Sequence, residues 1–219
     1  MASLAGSPGH PVRVNAELDG SLSRWLWLVK WFLLIPHYVV LFFLWIAFIG
    51  VSVVAFFGIL FTTRYPRPLF NFNLGVLRWS WRVAYYSYGA LGTDRYPPFS
   101  LGEEPGYPAR LDIVHPERLS RPLVLVKWWL LAIPHYIIVG FFLGGYGRWD
   151  AGLITVLALI AAVILTFTRR YPQSLFELIV GLNRWVLRVA AYVALMTDVY
   201  PPFRLDMGGA EPDRLEEPS

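Results

Sequence analysis

Apolar residues form two long blocks along this chain, at 24–62 and at 122–168, and basic and aromatic residues border both of them. Each block is followed by a stretch, 69–91 or 175–195, in which apolar residues recur at helical spacing. Shorter lead-in segments such as 110–114 alternate apolar and polar residues, which is typical of strands. The pattern therefore predicts an all-α integral membrane protein with short extended or β pieces on its cytoplasmic side.

The two halves of the chain repeat one another. SRWLWLVKWFLLIPHY at 23–38 matches SRPLVLVKWWLLAIPHY at 120–136. Arg-Tyr-Pro, an arginine-bearing helix, Thr-Asp and Tyr-Pro-Pro-Phe then follow in the same order in both halves. Five matched blocks in one order predict a duplicated unit, with copies at 11–101 and 108–205 and a linker at 102–107.

The two ends of the sequence differ in character from the repeated units. Residues 1–10 carry no basic side chain, and no small-residue cleavage site follows the first apolar stretch. They lack the features of a secretory signal, so we predict a flexible tail there. Residues 206–219 are acidic and rich in Pro and Gly, which predicts a disordered acidic tail.

The second copy is eight residues longer than the first between Pro-His-Tyr and Arg-Tyr-Pro, and the extra residues lie around 144–150. Such an insertion costs little at a turn, but within a membrane helix it would expose unpaired backbone to lipid. We therefore predict one helical hairpin per copy, with Pro36 inside the first arm. The predicted membrane segments are 24–45, 47–62, 122–143 and 151–168. The alternative is one long kinked helix per copy, with the residues before that proline lying along the surface.

Basic residues are placed asymmetrically under the hairpin interpretation. Of the 19 Lys and Arg residues, only Arg148 falls in an outer loop. The positive-inside rule then places both termini of a multi-pass membrane protein in the cytoplasm. Lys30 and Lys127 lie inside the first arm of each hairpin, where we expect their long side chains to snorkel to the interface.

Paired arginines mark the third helix of each unit. Arg78 and Arg82 share one face in the first copy, and Arg184 and Arg188 share the equivalent face in the second. Near mid-bilayer each arginine would cost at least about 2.5 kcal/mol, so we predict amphipathic helices that lie in the interface. Because guanidinium groups bind phosphate in bidentate fashion, these arginines are candidates for anionic lipid headgroups. The alternative is that they snorkel or pair with acidic residues such as Asp94.

His37 and His135 recur in Pro-His-Tyr, within the apolar arms. Intramembrane ionisable residues are functional candidates, so the two histidines could form a proton relay or a ligand pair. The alternative is that each satisfies a backbone carbonyl that the neighbouring proline leaves free. Their spacing matches no metal motif, and we predict no metal site.

Asp94 and Asp198 each follow a threonine, and Tyr96 and Tyr200 open the Tyr-Pro-Pro-Phe that comes next. We interpret these four as turn or capping residues of the repeat. A catalytic carboxylate would need a paired acid or base, and the sequence shows none. It also lacks cysteine, a nucleophile elbow, a phosphate loop and a dinucleotide fingerprint, so we predict no catalytic residue and no cofactor.

Composition agrees with a membrane protein. Hydrophobic residues make up 56% of the chain and charged residues 16%, against about 25% charged in a soluble domain. The net charge of +4 is better explained by the anionic cytoplasmic leaflet than by nucleic acid.

The repeated motifs resemble a bacterial membrane family known as domain of unknown function 4389. Leu-Ser-Arg, Ile-Pro-His-Tyr, Arg-Tyr-Pro and Tyr-Pro-Pro-Phe carry the resemblance over 11–205, in two tandem copies. The resemblance implies a bacterial membrane protein, so we expect a multi-pass protein of the bacterial inner membrane; the family supplies no activity. We expect a non-enzymatic scaffold or accessory subunit that engages anionic lipids and either a partner membrane protein or another copy of itself. The alternatives are a small transporter or channel component that uses the duplicated hairpins, and a lipid-modifying enzyme.

Overall fold

The computed structural model describes residues 10–145 and 151–208, and the protein is mostly helical with one small sheet. Most of the predicted tail 1–10, part of the insertion and most of the predicted acidic tail lie outside these residues. The elements in chain order are β1 (Val12–Ala16), α1 (Trp27–Leu33), α2 (Ile35–Thr62), α3 (Arg67–Tyr86), β2 (Ala109–Ile113), α4 (Arg121–Val126), a π-helix (Lys127–Leu131), α5 (Ile133–Leu143), α6 (Leu153–Thr168) and α7 (Gln173–Val193).

These elements pack in three layers. Helices α3 and α7 form the middle layer, and most of their residues are buried. The sheet covers one side of this layer, and α2, α5 and α6 cover the other. The prediction that 69–91 and 175–195 lie in the membrane interface is therefore wrong. Their arginine faces pack under the sheet and their apolar faces pack under the outer helices, so protein covers both sides.

The two strands pair antiparallel, as their alternating pattern predicted. Val12 lies opposite Ile113, and Val14 lies opposite Leu111. These four side chains are buried, whereas the intervening residues point outward. Because the inward side chains meet the middle helices, the sheet closes one side of the hydrophobic core.

Each strand packs on the arginine-bearing helix of the other unit, α3 or α7. Strand β1, from the first unit, contacts α7 of the second, while β2 contacts α3 of the first. Arg78 Nε donates to the Leu111 carbonyl at 2.9 Å, and Arg184 Nε makes the equivalent bond to the Val14 carbonyl at 3.1 Å. The two units are thus interlocked by an exchange of strands.

Helix α2 is continuous from Ile35 to Thr62, so the predicted hairpin at 24–45 and 47–62 is wrong for the first copy. The intervening residues are apolar and helix-compatible, and Gly50 meets no neighbouring atom that would force a turn. The long-helix alternative describes this copy, with α1 as the short segment before the kink.

The second copy divides the same helix into α5 and α6. Ile154, Ala161 and Leu165 of α6 are buried. They occupy the repeat positions of Phe48, Ala55 and Ile59 on α2, which are buried as well. The helices α5 and α6 together therefore bury the face that α2 buries alone. Gly152 lies against the backbone at the end of α5, so α6 begins close to the point where α5 ends.

Proline explains why the first helix of each unit stops early. Pro36 and Pro134 occupy the first turns of α2 and α5, where a residue without an N–H can begin a helix but cannot continue one. In the second copy the residues just before the break form the π-helix, and the chain bends there by 47°.

Only α2 is long and apolar enough by itself to cross a membrane among the residues described, with a mean hydropathy of 2.8. The bent pair 121–131 and 133–143 would count as a second such helix if it is one span. Large exposed hydrophobic side chains concentrate on α1, α2, α4, α5 and α6 and the π-helix. We call this side of the molecule the apolar layer.

Candidate functional site

The four arginines predicted to bind headgroups are engaged within the protein instead. Arg82, Arg184 and Arg188 are 2%, 1% and 3% exposed, and Arg78 pairs with Asp112 at 3.0 Å. Headgroup binding needs a guanidinium that faces lipid, so the structure corrects this expectation. The cause is the sheet and the extended segments, which lie over the arginine faces of α3 and α7.

The buried arginines hold the ends of each unit in place. Arg82 donates to the carbonyls of Ser100 and Gly102, and burial is the main cause that lowers the pKa of Arg82. Arg184 donates to the Gly208 carbonyl at 3.0 Å, and Arg188 pairs with Asp206 at 2.5 Å. Residues 206–208 are therefore fixed by α7, and the predicted disordered tail does not begin at 206.

Each unit contains a buried lysine–aspartate latch, which we define as Lys30–Asp94 and Lys127–Asp198. Lys30 Nζ lies 2.9 Å from an Asp94 oxygen and donates to the Thr93 carbonyl at 2.7 Å. Lys127 Nζ does the same with Asp198 at 2.7 Å and with the Thr197 carbonyl at 2.9 Å. Burial without a partner would be costly for either charge, so the pairing explains why both are tolerated.

The second oxygen of each aspartate completes the latch. Asp94 accepts a hydrogen bond from the backbone N–H of Ser23, and Asp198 accepts one from Ser120. The turn prediction for the two aspartates is thus too narrow, because they tie the end of each unit to its start. Neither lysine snorkels to solvent, since both ammonium groups are enclosed.

His37 and His135 lie in matching aromatic clusters. His37 Nδ1 accepts a hydrogen bond from the Trp79 indole at 3.0 Å, and its ring stacks on Phe99 with centroids 3.9 Å apart. Trp185 and Phe203 surround His135 in the same way. Because each imidazole accepts a hydrogen bond at Nδ1, the neutral ring carries its own proton on Nε2.

The two histidine clusters are separate and belong to different units. Tyr96 and Tyr200 contact the two imidazoles and donate their hydroxyls to the carbonyls of Leu33 and Leu131, just before each proline break. It is therefore the tyrosine, not the histidine, that binds a carbonyl near the break. No cluster of three potential metal ligands occurs among residues 10–145 and 151–208.

Sequence reasoning missed a second set of arginines, which border the apolar layer. Arg64 and Arg121, the first arginine pair, are exposed where α2 ends and α4 begins. Arg121 donates to the Phe61 carbonyl at 2.9 Å. Arg24 and Arg170, the second arginine pair, hold the equivalent repeat positions near α1 and α6. The repeated Ser-Arg and Arg-Tyr-Pro motifs were a signal for both pairs.

A groove of about 790 Å³ lies between the two units on the side of the apolar layer. Its walls come from α2 and α5, and its floor comes from α3 and α7. Phe56 and Phe57 line one wall, Tyr136 and Val139 the other, and Trp81 lies in the floor. The lining is almost entirely apolar, so the groove suits a hydrocarbon ligand.

These features define the class of protein: a mostly helical tandem repeat with one apolar side and one side closed by a small sheet. The family profile of a domain of unknown function, DUF4389, matches residues 24–100 and 125–204. The chain therefore belongs to this family and contains two copies of its unit. No curated protein and no solved structure matches it.

Proposed function

We propose that this protein is a non-enzymatic membrane scaffold or accessory subunit that organises anionic lipid and a partner membrane protein. The observation that carries the proposal is the apolar layer. Only 17% of the most apolar window of α2 is buried inside the protein. An apolar surface of this extent is unfavourable in water and is typical of a membrane or protein interface.

The arginine pairs support this placement. Arg64, Arg121 and Arg170 are exposed and Arg24 is half-buried. All four lie near the ends of the apolar helices, where an anionic headgroup layer would meet a helix embedded in hydrocarbon. Arginine at that position binds phosphate through two parallel hydrogen bonds. We assign the headgroup role to these pairs in place of the buried arginines of α3 and α7.

We propose a bacterial inner membrane, with the sheet side facing the cytoplasm. The continuous helix α2 removes the hairpin on which the original charge argument depended. A different observation supports a common side for both chain ends: Arg184 contacts the carbonyls of Val14 and Gly208 together. The two ends of the described chain therefore meet at the sheet.

Membrane extraction and cysteine labelling test the proposal. We expect the protein to stay in the membrane fraction after alkaline carbonate washing, and release into the wash would refute it. The sequence has no cysteine, so single substitutions give an unambiguous signal. Arg110→Cys on β2 should react with a membrane-impermeant maleimide only after the cells are permeabilised. Labelling of this variant in intact cells would refute the cytoplasmic placement of the sheet.

The accessory role is tested by what remains attached during purification. We expect one membrane protein to copurify in mild detergent at constant ratio. Substitution of exposed α2 side chains outside the groove, such as Phe42→Ser with Ile46→Ser, should reduce this association. If the purified protein is monodisperse, carries no second polypeptide and does not self-associate in bilayers, the scaffold proposal fails.

A further inference from the structure

The groove between the units opens toward the apolar layer. Its walls, α2 and α5, expose large apolar side chains on their remaining surface. If these helices lie in a bilayer, as proposed above, the groove is continuous with the hydrocarbon phase. An occupant would enter from the surrounding lipid without crossing water.

The polar groups in the lining are mostly satisfied by the protein itself. Ser80 accepts a hydrogen bond from the Trp45 indole at 3.1 Å, and Ser52 accepts one from an amide on α3 at 3.0 Å. Asn183 donates to two backbone carbonyls. Among the buried polar atoms of the lining in the described chain, the indole N–H of Trp81 lacks an acceptor, and this side chain is 1% exposed. The walls therefore suit a hydrocarbon ligand, and the floor has one hydrogen-bond donor without a partner.

Charge lies beyond one end of the groove. Phe57, in the lining, is one helical turn before Phe61, whose carbonyl accepts from Arg121. Helix α2 continues for five residues beyond Phe57, about 7.5 Å at the rise of an α-helix, and Arg64 follows two residues after its end. Within the described chain, neither arginine of this pair forms an ion pair with an acidic side chain. A ligand with a hydrocarbon chain and a phosphate at one end matches this arrangement.

The second arginine pair lies away from this groove. No residue of α1 or α6 in the described chain contributes to the lining. Arg24 and Arg170 therefore provide a matched control within the same molecule.

We propose that one anionic phospholipid binds this groove, with an acyl chain between the units and its phosphate on Arg64 and Arg121. The proposal rests on the membrane placement given above. The groove is then a specific lipid site, distinct from the nonspecific contact between the apolar layer and the surrounding lipid.

Native mass spectrometry of the full-length protein in mild detergent, titrated with dioleoyl phosphatidylglycerol, tests the site. We expect one molecule to bind more tightly than the rest. Arg64→Gln with Arg121→Gln should weaken that molecule about tenfold, because two charge-assisted contacts are lost. Arg24→Gln with Arg170→Gln removes the same charge and should change its affinity by less than about twofold. Equal losses in both double variants would show charge attraction alone and overturn the proposal.

A second pair of variants tests the groove itself. Ala84→Trp places a large side chain in the lining, whereas Ala47→Trp adds the same group on an exposed part of α2 outside it. Only Ala84→Trp should displace the tightly bound lipid, and unchanged binding would overturn the proposal.

A photoreactive residue at Val53 should crosslink to lipid, and a crosslink to a polypeptide instead would assign the groove to a partner helix. Carbonate resistance without tight lipid would reject this inference alone, whereas carbonate release would reject the proposed function.

Discussion

Removal of one member of a lysine–aspartate latch should destabilise the protein strongly. In Asp94→Asn, the ammonium of Lys30 stays buried and keeps only the Thr93 carbonyl and the face of Tyr86. The lysine side chain is 2% exposed and that of the aspartate 21%, so water reaches only the acidic partner. Breaking a buried pair on one side costs about 3–5 kcal/mol, and we expect the lower end because asparagine can still accept from Ser23.

The magnitude converts into a thermal shift that can be measured. For a chain of this length, 1 kcal/mol corresponds to about 2–4 °C in Tm, so Asp94→Asn should lower Tm by about 6–12 °C. The assay is thermal unfolding of the detergent-solubilised protein, followed by near-ultraviolet circular dichroism or intrinsic tryptophan fluorescence. Asp198→Asn tests the equivalent latch in the second unit and should fall in the same range.

The double variant Lys30→Met with Asp94→Asn separates pairing from packing. Methionine keeps most of the lysine volume but removes the charge, so it leaves no unpaired ion behind. We expect the double variant to be more stable than Asp94→Asn alone. If Asp94→Asn shifts Tm by less than about 2 °C, or if the double variant is less stable than the single, the latch reasoning is refuted.

Three further predictions use the same unfolding assay or hydrogen exchange. Gly75→Ala should destabilise the protein by about 1–3 kcal/mol, because the new Cβ would lie 2.8 Å from the Leu101 carbonyl oxygen. Gly181→Ala, at the equivalent position of the second unit, should be close to neutral, because its Cβ would lie 3.4 Å from the nearest carbonyl oxygen. Arg184→Met should speed amide exchange in β1, because it leaves carbonyls of β1 and of the C-terminal segment without their buried donor. Burial and, as a smaller cause, a nearby arginine lower the pKa of His10 from 6.5 to about 4, so the folded state resists protonation of this residue. Stability should therefore decrease as the pH falls from about 6.5 to about 4, and His10→Gln should flatten that decrease. An unchanged pH profile in the variant would contradict the prediction.

The repeat, the two strands and the arginine helices could be predicted from the sequence because each leaves a local pattern. The alternation around Val12 and Ile113 is visible within five residues, and the helical spacing around Arg78 within three turns. Their placement could not be predicted in the same way. Helix α3 looks amphipathic whether its polar face meets headgroups or another part of the chain, and only the tertiary contacts distinguish the two.

The error at α2 has a physical cause of a different kind. We inferred a turn in the first copy from an insertion in the second, on the assumption that both copies share the same break. In the second copy α5 and α6 together take the place of α2, so an insertion in one copy does not require a turn in the other. The lysine–aspartate latches could not be predicted for another reason. Lys30 and Asp94 are 64 positions apart, far beyond the range over which a periodic pattern relates two residues.

The strand exchange gives a reason why the two units occur in one chain. A single unit would keep its arginine helix but lose the strand that covers it, because β2 contacts α3 and β1 contacts α7. The guanidinium of Arg78 would then lose the Leu111 carbonyl and Asp112, and the equivalent loss would occur at Arg184. Without β2, the apolar side chains of α3 that this strand covers would also lie open to water, so one unit buries this face only against a second. Joining the two units in one chain makes that closure intramolecular.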